Sequence, residues 1–183
     1  MTELMIQEDM IETLISSEEI EKRVLEISRE LANEYEDKIP VVIGILKGSF
    51  VFMADLLREL KFPLEIDFMM VSSYGDDSKS TGKLNIKKEI DINIKGRHII
   101  LIEDIIDTGL TMSKLIELLN ERKPASIKIV SLLDKKDCRR HEINVDYVGF
   151  SIPNEFVVGY GLDYAEKYRN LPYVGIVREW SLK

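Results

Sequence analysis

Apolar residues recur along the chain in two rhythms, and their alternation predicts strands separated by helices. Over residues 16 to 37, Ile20, Val24, Ile27 and Leu31 fall on one helical face, and Ser16 and Glu19 have the spacing of a capping box. The run then changes to IPVVIGIL at 39 to 46, dense and β-branched, which suits a strand covered on both faces. Lys47, Gly48 and Ser49 interrupt it, and FVFMADLLREL forms a second helix through Leu60. Leu64, Ile66, Phe68 and Met70 alternate as a strand ending near Ser72. Residues 72 to 82, SSYGDDSKSTG, are the least hydrophobic stretch and read as a long mobile loop. LNIKKEIDINIKGR alternates in a hairpin-like manner.

HIILI at 98 to 102 predicts a central strand that ends at the acidic run Glu103, Asp104, Ile105, Ile106, Asp107. A third helix follows from Met112 through Leu119, and Pro124 stops it. IKIVSLL at 127 to 133 is another buried strand, leading to a basic loop around Lys135 and Lys136. VDYVGF, FVVGYG and Tyr173 to Val177 supply short later strands. Strands separated by helices favour an α/β fold with a mostly parallel sheet and charged loops gathered at one edge.

Composition narrows the function more than the fold. The 183 residues suit one compact domain, and 25 Lys plus Arg against 33 Asp plus Glu leave a formal charge of -8. That balance gives no general attraction to nucleic acid, so an anionic substrate needs local cations or a metal. One cysteine, Cys138, allows no intrachain disulfide. With no basic leader into an apolar run and no stretch near the roughly 18 apolar residues of a spanning helix, the expectation is a soluble cytoplasmic protein without membrane attachment.

The chemistry concentrates in LIEDIIDTGLTMSKL. Glu103 and Asp104 stand at a strand end, where alternation keeps them from sharing one face. Thr108, Gly109 and Thr111 offer hydroxyl and backbone donors just before a helix, a place where oriented N–H groups hold phosphate without many basic side chains. Carboxylates beside them can accept from sugar hydroxyls or bind Mg2+. Together these describe a ribose 5-phosphate site; the plainer alternative is an acidic loop with an ordinary threonine cap. Lys47, Gly48 and Ser49 are either a second anion loop or a helix entry capped by Ser49. GILKGS lacks the spacing of a P-loop, and Gly159 and Gly161 are a fragment of a dinucleotide fingerprint better read as a bend. Two distant histidines, His98 and His141, and a lone cysteine support neither zinc nor a cysteine nucleophile.

The segment EDIIDTG, with ILKGS at 45 to 49, SSYG at 72 to 75, SLLDKK at 131 to 136 and FVVGYGLDYAEKYRNLPYVG at 156 to 175, resembles the purine/pyrimidine phosphoribosyltransferase family, in its hypoxanthine-guanine branch. The resemblance implies a type I phosphoribosyltransferase-like fold in a single domain over 1–183, with a mobile loop at about 72–82 and a small hood mainly from the C-terminal part. It implies transfer of the 5-phosphoribosyl group from 5-phosphoribosyl pyrophosphate to N9 of hypoxanthine or guanine, giving IMP or GMP and pyrophosphate with inversion at C1, the sugar donor and Mg2+ assembling first.

By the same resemblance, Glu103 and Asp104 would bind ribose and metal. Asp107, Thr108, Gly109, Leu110 and Thr111 would hold the 5-phosphate, with Asp107 also the acid-base group near purine N7. Leu46, Lys47 and Gly48, carrying a cis peptide before Gly48, would take pyrophosphate together with Arg169. Lys135 would donate to the 6-oxo group, which disfavours adenine. Phe156 would stack on the purine, Val157 and Asp163 would contact it through the backbone, and Asp163 would also reach a second metal through water. Ser73 and Tyr74 would form the lid, and the assembly would be a homodimer or homotetramer. A nucleotide-sensing regulator of the same fold, and transfer to adenine or orotate, are the rival readings.

Overall fold

The computed structural model describes residues 11–72 and 84–178. The predicted lid residues Ser73 and Tyr74, and nearly all of the predicted loop, lie outside them. The first helix, α1, spans Ser17–Tyr35 and opens with the expected box: Ser16 Oγ accepts from Glu19 N, and the Glu19 carboxylate accepts from Ser16 N at 2.9 Å. Its buried face is Ile20, Val24, Ile27, Ser28, Leu31 and Tyr35. Strand β2 (Val41–Leu46) follows, then α2 (Phe50–Glu59) and β3 (Glu65–Ser72). Next come β5 (His98–Ile106), α3 (Leu110–Glu121), β6 (Ser126–Asp134) and β7 (Tyr147–Ser151).

Between β3 and β5 the hairpin expectation fails. Only β4 (Asn85–Lys88) forms, antiparallel to β3. The second half of that segment is instead gathered by the Asp67 carboxylate, which accepts from Asp91 N at 2.7 Å and Ile92 N at 3.1 Å. Backbone groups that a hairpin ladder would use are thus satisfied by a side chain.

The main sheet has the order β4-β3-β2-β5-β6-β7, parallel throughout except at β4. Its strands read as near-continuous apolar runs because both faces are covered. One face packs on α1 and α2 through Val24, Leu31, Phe52 and Leu56; the other packs on α3 through Met112, Leu115 and Leu119. A second, antiparallel sheet has the order β1-β9-β8. It joins β8 (Val157–Val158) and β9 (Val174–Val177) to β1 (Ile11–Ile15), a strand the hydrophobic pattern did not announce.

The strand order fixes where a ligand can go. From β2 the chain moves outward to β3, and from β5 it moves the opposite way to β6 and β7. The connections therefore diverge between β2 and β5, leaving a crevice beyond their carboxyl ends, the usual ligand position in an open parallel sheet. Leu46 ends β2 and Ile106 ends β5.

Candidate active site

A cavity of about 410 Å3 occupies that crevice. Its wall includes Leu46, Lys47 and Gly48 after β2, Glu103 to Thr111 after and along β5, and Asp163 and Arg169 from the C-terminal loops. Twelve positions singled out from sequence thus meet in one place: Leu46, Lys47, Gly48, Glu103, Asp104, Asp107, Thr108, Gly109, Leu110, Thr111, Asp163 and Arg169.

Strand β5 runs four residues past the predicted end at Ile102, so the two acids sit within the strand and project to opposite faces. Glu103 Oε2 is buried without a hydrogen-bond partner. Burial, and then the neighbouring Asp104, push the Glu103 carboxyl well above the usual range. Asp104 is also raised by burial, against the Ile105 N–H, which donates to Asp104 Oδ1 at 2.8 Å, and the Arg169 charge. Buried acids with unsatisfied oxygens are costly unless a ligand supplies donors or positive charge.

The turn from β5 into α3 presents backbone donors to the cavity. Gly109 takes φ 82 at the helix N-cap, with no side-chain cap, so the first N–H groups of α3 lack intrahelical partners. Leu110 N makes only a long 3.4 Å contact with Thr108 Oγ1.

The opposite wall carries the charge. A cis peptide joins Leu46 to Lys47, one bond ahead of the expected position before Gly48. Lys47 Nζ pairs with Glu166 Oε2 at 2.9 Å, and Arg169 pairs with Asp163 at 2.8 Å and donates to Gly161 O at 2.7 Å. Arg169 Nε is buried and finds no acceptor among the described residues. Ser49 neither caps α2 nor faces the cavity; its buried hydroxyl donates to Ile45 O at 2.6 Å. Both readings of that serine give way to a backbone tie that closes the β2–α2 corner.

Glycine at position 48 is dictated by contact. A Cβ there would lie 1.5 Å from Asp104 Oδ2. On its other side, a Cβ at Gly161, which has φ +102, would lie 2.0 Å from the Gly48 carbonyl oxygen. Gly161 was read from sequence as part of a bend, so its place against the anion loop went unseen; the Gly-x-Gly at 159 to 161 was its only signal.

Of the predicted base-side residues, Asp163 lines this cavity, whereas Lys135, Phe156 and Val157 do not. Lys135 is nearly buried at the end of β6, its amide donating to Ile106 O at 2.9 Å next to Asp107. Phe156 is 47% exposed, with only an edge contact to Tyr164 at 5.9 Å between ring centroids. That leaves an aromatic face open before β8, whereas Val157 is buried with its backbone paired to Ile176. Among the described residues, no group of three or more metal-ligating side chains is assembled, and no helix is long and apolar enough to cross a membrane.

Residues 10–165 match the phosphoribosyl transferase domain. The chain belongs to that family. It is 54% identical over 174 residues to a hypoxanthine-guanine phosphoribosyltransferase of Bacillus subtilis, covering 95% of this chain and 97% of that protein. A solved hypoxanthine phosphoribosyltransferase from Staphylococcus aureus superimposes with a TM-score of 0.92 at 44% identity, covering 96% of each chain. In Listeria monocytogenes, the bifunctional protein TilS/HprT is 52% identical over 93% of this chain, which spans 26% of that longer protein. The type I phosphoribosyltransferase fold expected from the motifs is the one found.

Proposed function

We infer that this phosphoribosyltransferase moves the 5-phosphoribosyl group from 5-phosphoribosyl pyrophosphate to N9 of hypoxanthine or guanine, forming IMP or GMP and pyrophosphate. The observation that carries the reading is the cavity at the β2/β5 divergence, which is lined by the β5–α3 turn, two buried acids and two cations. The similarity to hypoxanthine-guanine enzymes supports the choice of base.

In this reading the turn 107–111 takes the 5-phosphate through N–H and hydroxyl donors. Glu103 and Asp104 accept from the ribose 2- and 3-hydroxyls, which supply the donor that the buried Glu103 Oε2 lacks among the described residues. Lys47 and Arg169 accompany the pyrophosphate as its charge grows, so they act where the transition state is more anionic than the ground state. Asp107 lies beside the purine N7 and holds or takes its proton while N9 attacks C1. Lys135 donates to the 6-oxo oxygen, Phe156 stacks on the ring, and Val157 and Asp163 offer backbone contacts. No covalent enzyme intermediate is required.

Mg2+ fits this cavity although no three-ligand cluster is assembled among the described residues, because it is commonly held by one or two carboxylates together with substrate phosphates. Glu103 and Asp104, with Asp163 through water, would hold it, and it would supply charge neutralisation for the departing pyrophosphate. The reading also carries one domain over the chain, with a lid containing Ser73 and Tyr74, a homodimer or homotetramer, and a cytoplasmic location.

The test is a spectrophotometric transfer assay with hypoxanthine, guanine, xanthine and adenine supplied separately, with and without Mg2+. Product from the first two bases, dependent on Mg2+, is expected. Binding of 5-phosphoribosyl pyrophosphate with no product from any base would instead make the protein a sensor.

A further inference from the structure

The phosphate turn is held from behind by one short segment. Three successive carbonyls, those of Ile106, Asp107 and Thr108, all accept from residues 135 to 141. Lys135 N donates to Ile106 O at 2.9 Å, Arg139 Nε donates to Asp107 O at 3.2 Å, and the amides of Arg140 and His141 both donate to Thr108 O at 3.0 Å. In a trans peptide the N–H points opposite to the carbonyl. Tying these three carbonyls rearward therefore turns the amides of Asp107, Thr108 and Gly109 the other way, toward the cavity that residues 107 to 109 line.

Only one of these ties is made by a side chain. The Arg139 guanidinium also pairs with the carboxylate of Asp134, which is 2% exposed at the end of β6. Its stem fills the space beside Gly109, where a Cβ would come within 2.9 Å of Arg139 Cδ. The guanidinium is thus fixed at one end by a buried charge and at the other by the backbone of Asp107. A planar donor fork can serve both at once, which a lysine ammonium on a flexible stem does poorly.

We propose that Arg139 is a positioning residue for the transfer reaction: by bridging Asp134 to the Asp107 carbonyl it presets the 107–111 turn to receive the sugar phosphate. The inference rests on the functional reading above, and it assigns the 5-phosphate affinity partly to a residue that never touches substrate. The same bridge ties that turn to the segment bearing Lys135, so phosphate and base recognition share one anchor. Preorganised amides bind an anion without reorganising, and loosening the turn makes binding bear that ordering each time.

Removing Arg139 alone would strand a buried carboxylate, so loss of activity in Arg139→Ala would not separate folding from positioning. Two variants do separate them: Arg139→Lys, which keeps a cation opposite Asp134, and the double variant Asp134→Leu with Arg139→Leu, which removes the buried charge with its partner. Each would be measured for thermal unfolding, for calorimetric binding of 5-phosphoribosyl pyrophosphate with Mg2+, and for steady-state transfer to hypoxanthine. The expected result is an unfolding midpoint close to wild type, with Kd and KM for 5-phosphoribosyl pyrophosphate about tenfold higher, the size of one lost hydrogen bond, and kcat within about threefold. The lysine variant should fall between wild type and the double variant.

Wild-type affinity in either folded variant would overturn the proposal and reduce Arg139 to a counter-ion for Asp134. So would a loss confined to kcat. Failure of the wild-type protein itself to bind 5-phosphoribosyl pyrophosphate would sink the functional reading instead, a distinct outcome.

Discussion

The two edges of the main sheet treat their charged groups in opposite ways. At the amino edge, Asp67 accepts from Phe68 N, Asp91 N, Ile92 N and Lys88 Nζ. Asp146 takes Lys128 Nζ at 2.8 Å and Ile129 N at 2.9 Å; Tyr147 donates to Glu34; His98 Nδ1 shares a hydrogen bond with Ser126 Oγ. At the carboxyl edge, Glu103 Oε2 and Arg169 Nε are buried with no partner among the described residues. The groups named at the first edge hold strands and loops together, whereas these two at the second are left unsatisfied at a cost in stability. Substitutions at the first edge are therefore expected to lower stability, and those at the second to lower turnover with stability kept or raised.

The largest effect is expected at Asp107. Asp107→Asn should lower kcat by about 10²- to 10⁴-fold, the usual worth of a positioned acid-base group, with binding of 5-phosphoribosyl pyrophosphate changed far less. Equal, large losses in single-turnover rate and in calorimetric affinity would remove Asp107 from the chemistry. Next comes Gly48→Ala, whose methyl would collide with Asp104 Oδ2. Displacing that wall by about 1 Å is expected to cost roughly a hundredfold in kcat/KM; a near-normal kcat/KM would show that the loop and Asp104 move freely.

At the amino edge, Asp67→Ala is expected to lower unfolding free energy by roughly 2 kcal/mol while leaving kcat/KM near wild type. Burial pushes the Asp67 carboxyl up, but the amides of Phe68, Ile92 and Asp91 and the Lys88 ammonium outweigh it and hold it below the ordinary value of 3.8. Its contribution is therefore present above that pH and fades as pH falls through the lowered value. Urea titrations should show the gap between variant and wild type closing in acid; a gap that widened there would contradict the assignment.

The smallest effect has the opposite sign. Because burial raises the Glu103 carboxyl above 4.5, ionising it costs the ligand-free fold stability as pH rises past that value. Glu103→Gln should stabilise the ligand-free protein near pH 8 by about 1 kcal/mol, at the expense of activity, and the gain should vanish below pH 4.5. A thermal scan in which Glu103→Gln is less stable at both pH values would place Glu103 among the structural acids.

Much of this contrast could be read in the chain. The capping box at Ser16 and Glu19, the apolar runs of β2, β5 and β6, and the turn that opens α3 are local patterns, and the structure keeps each of them. Strand β5 was expected to stop at Ile102 because charged residues resist a buried sheet, yet pairing with β6 carries it through Ile106. The hairpin after residue 84 failed for the converse reason: its alternation was genuine, but Asp67, far away in sequence, satisfies the backbone there. Gly161 and Arg139 were unreadable because their partners, the Gly48 carbonyl and the Asp107 carbonyl, are brought close only by tertiary contact. Strand β1 is short and finds its meaning only in β9, at the far end of the chain.

The close stacking of Gly161 on Gly48 and of Gly48 on Asp104 has an evolutionary corollary. Three segments interlock there without spare volume, so drift at any one of them must be answered at the others. Lys135 and Phe156 stand outside that knot, one on a turn and one on an exposed approach to β8. Substitutions at those two positions are free of the volume constraint that the knot imposes.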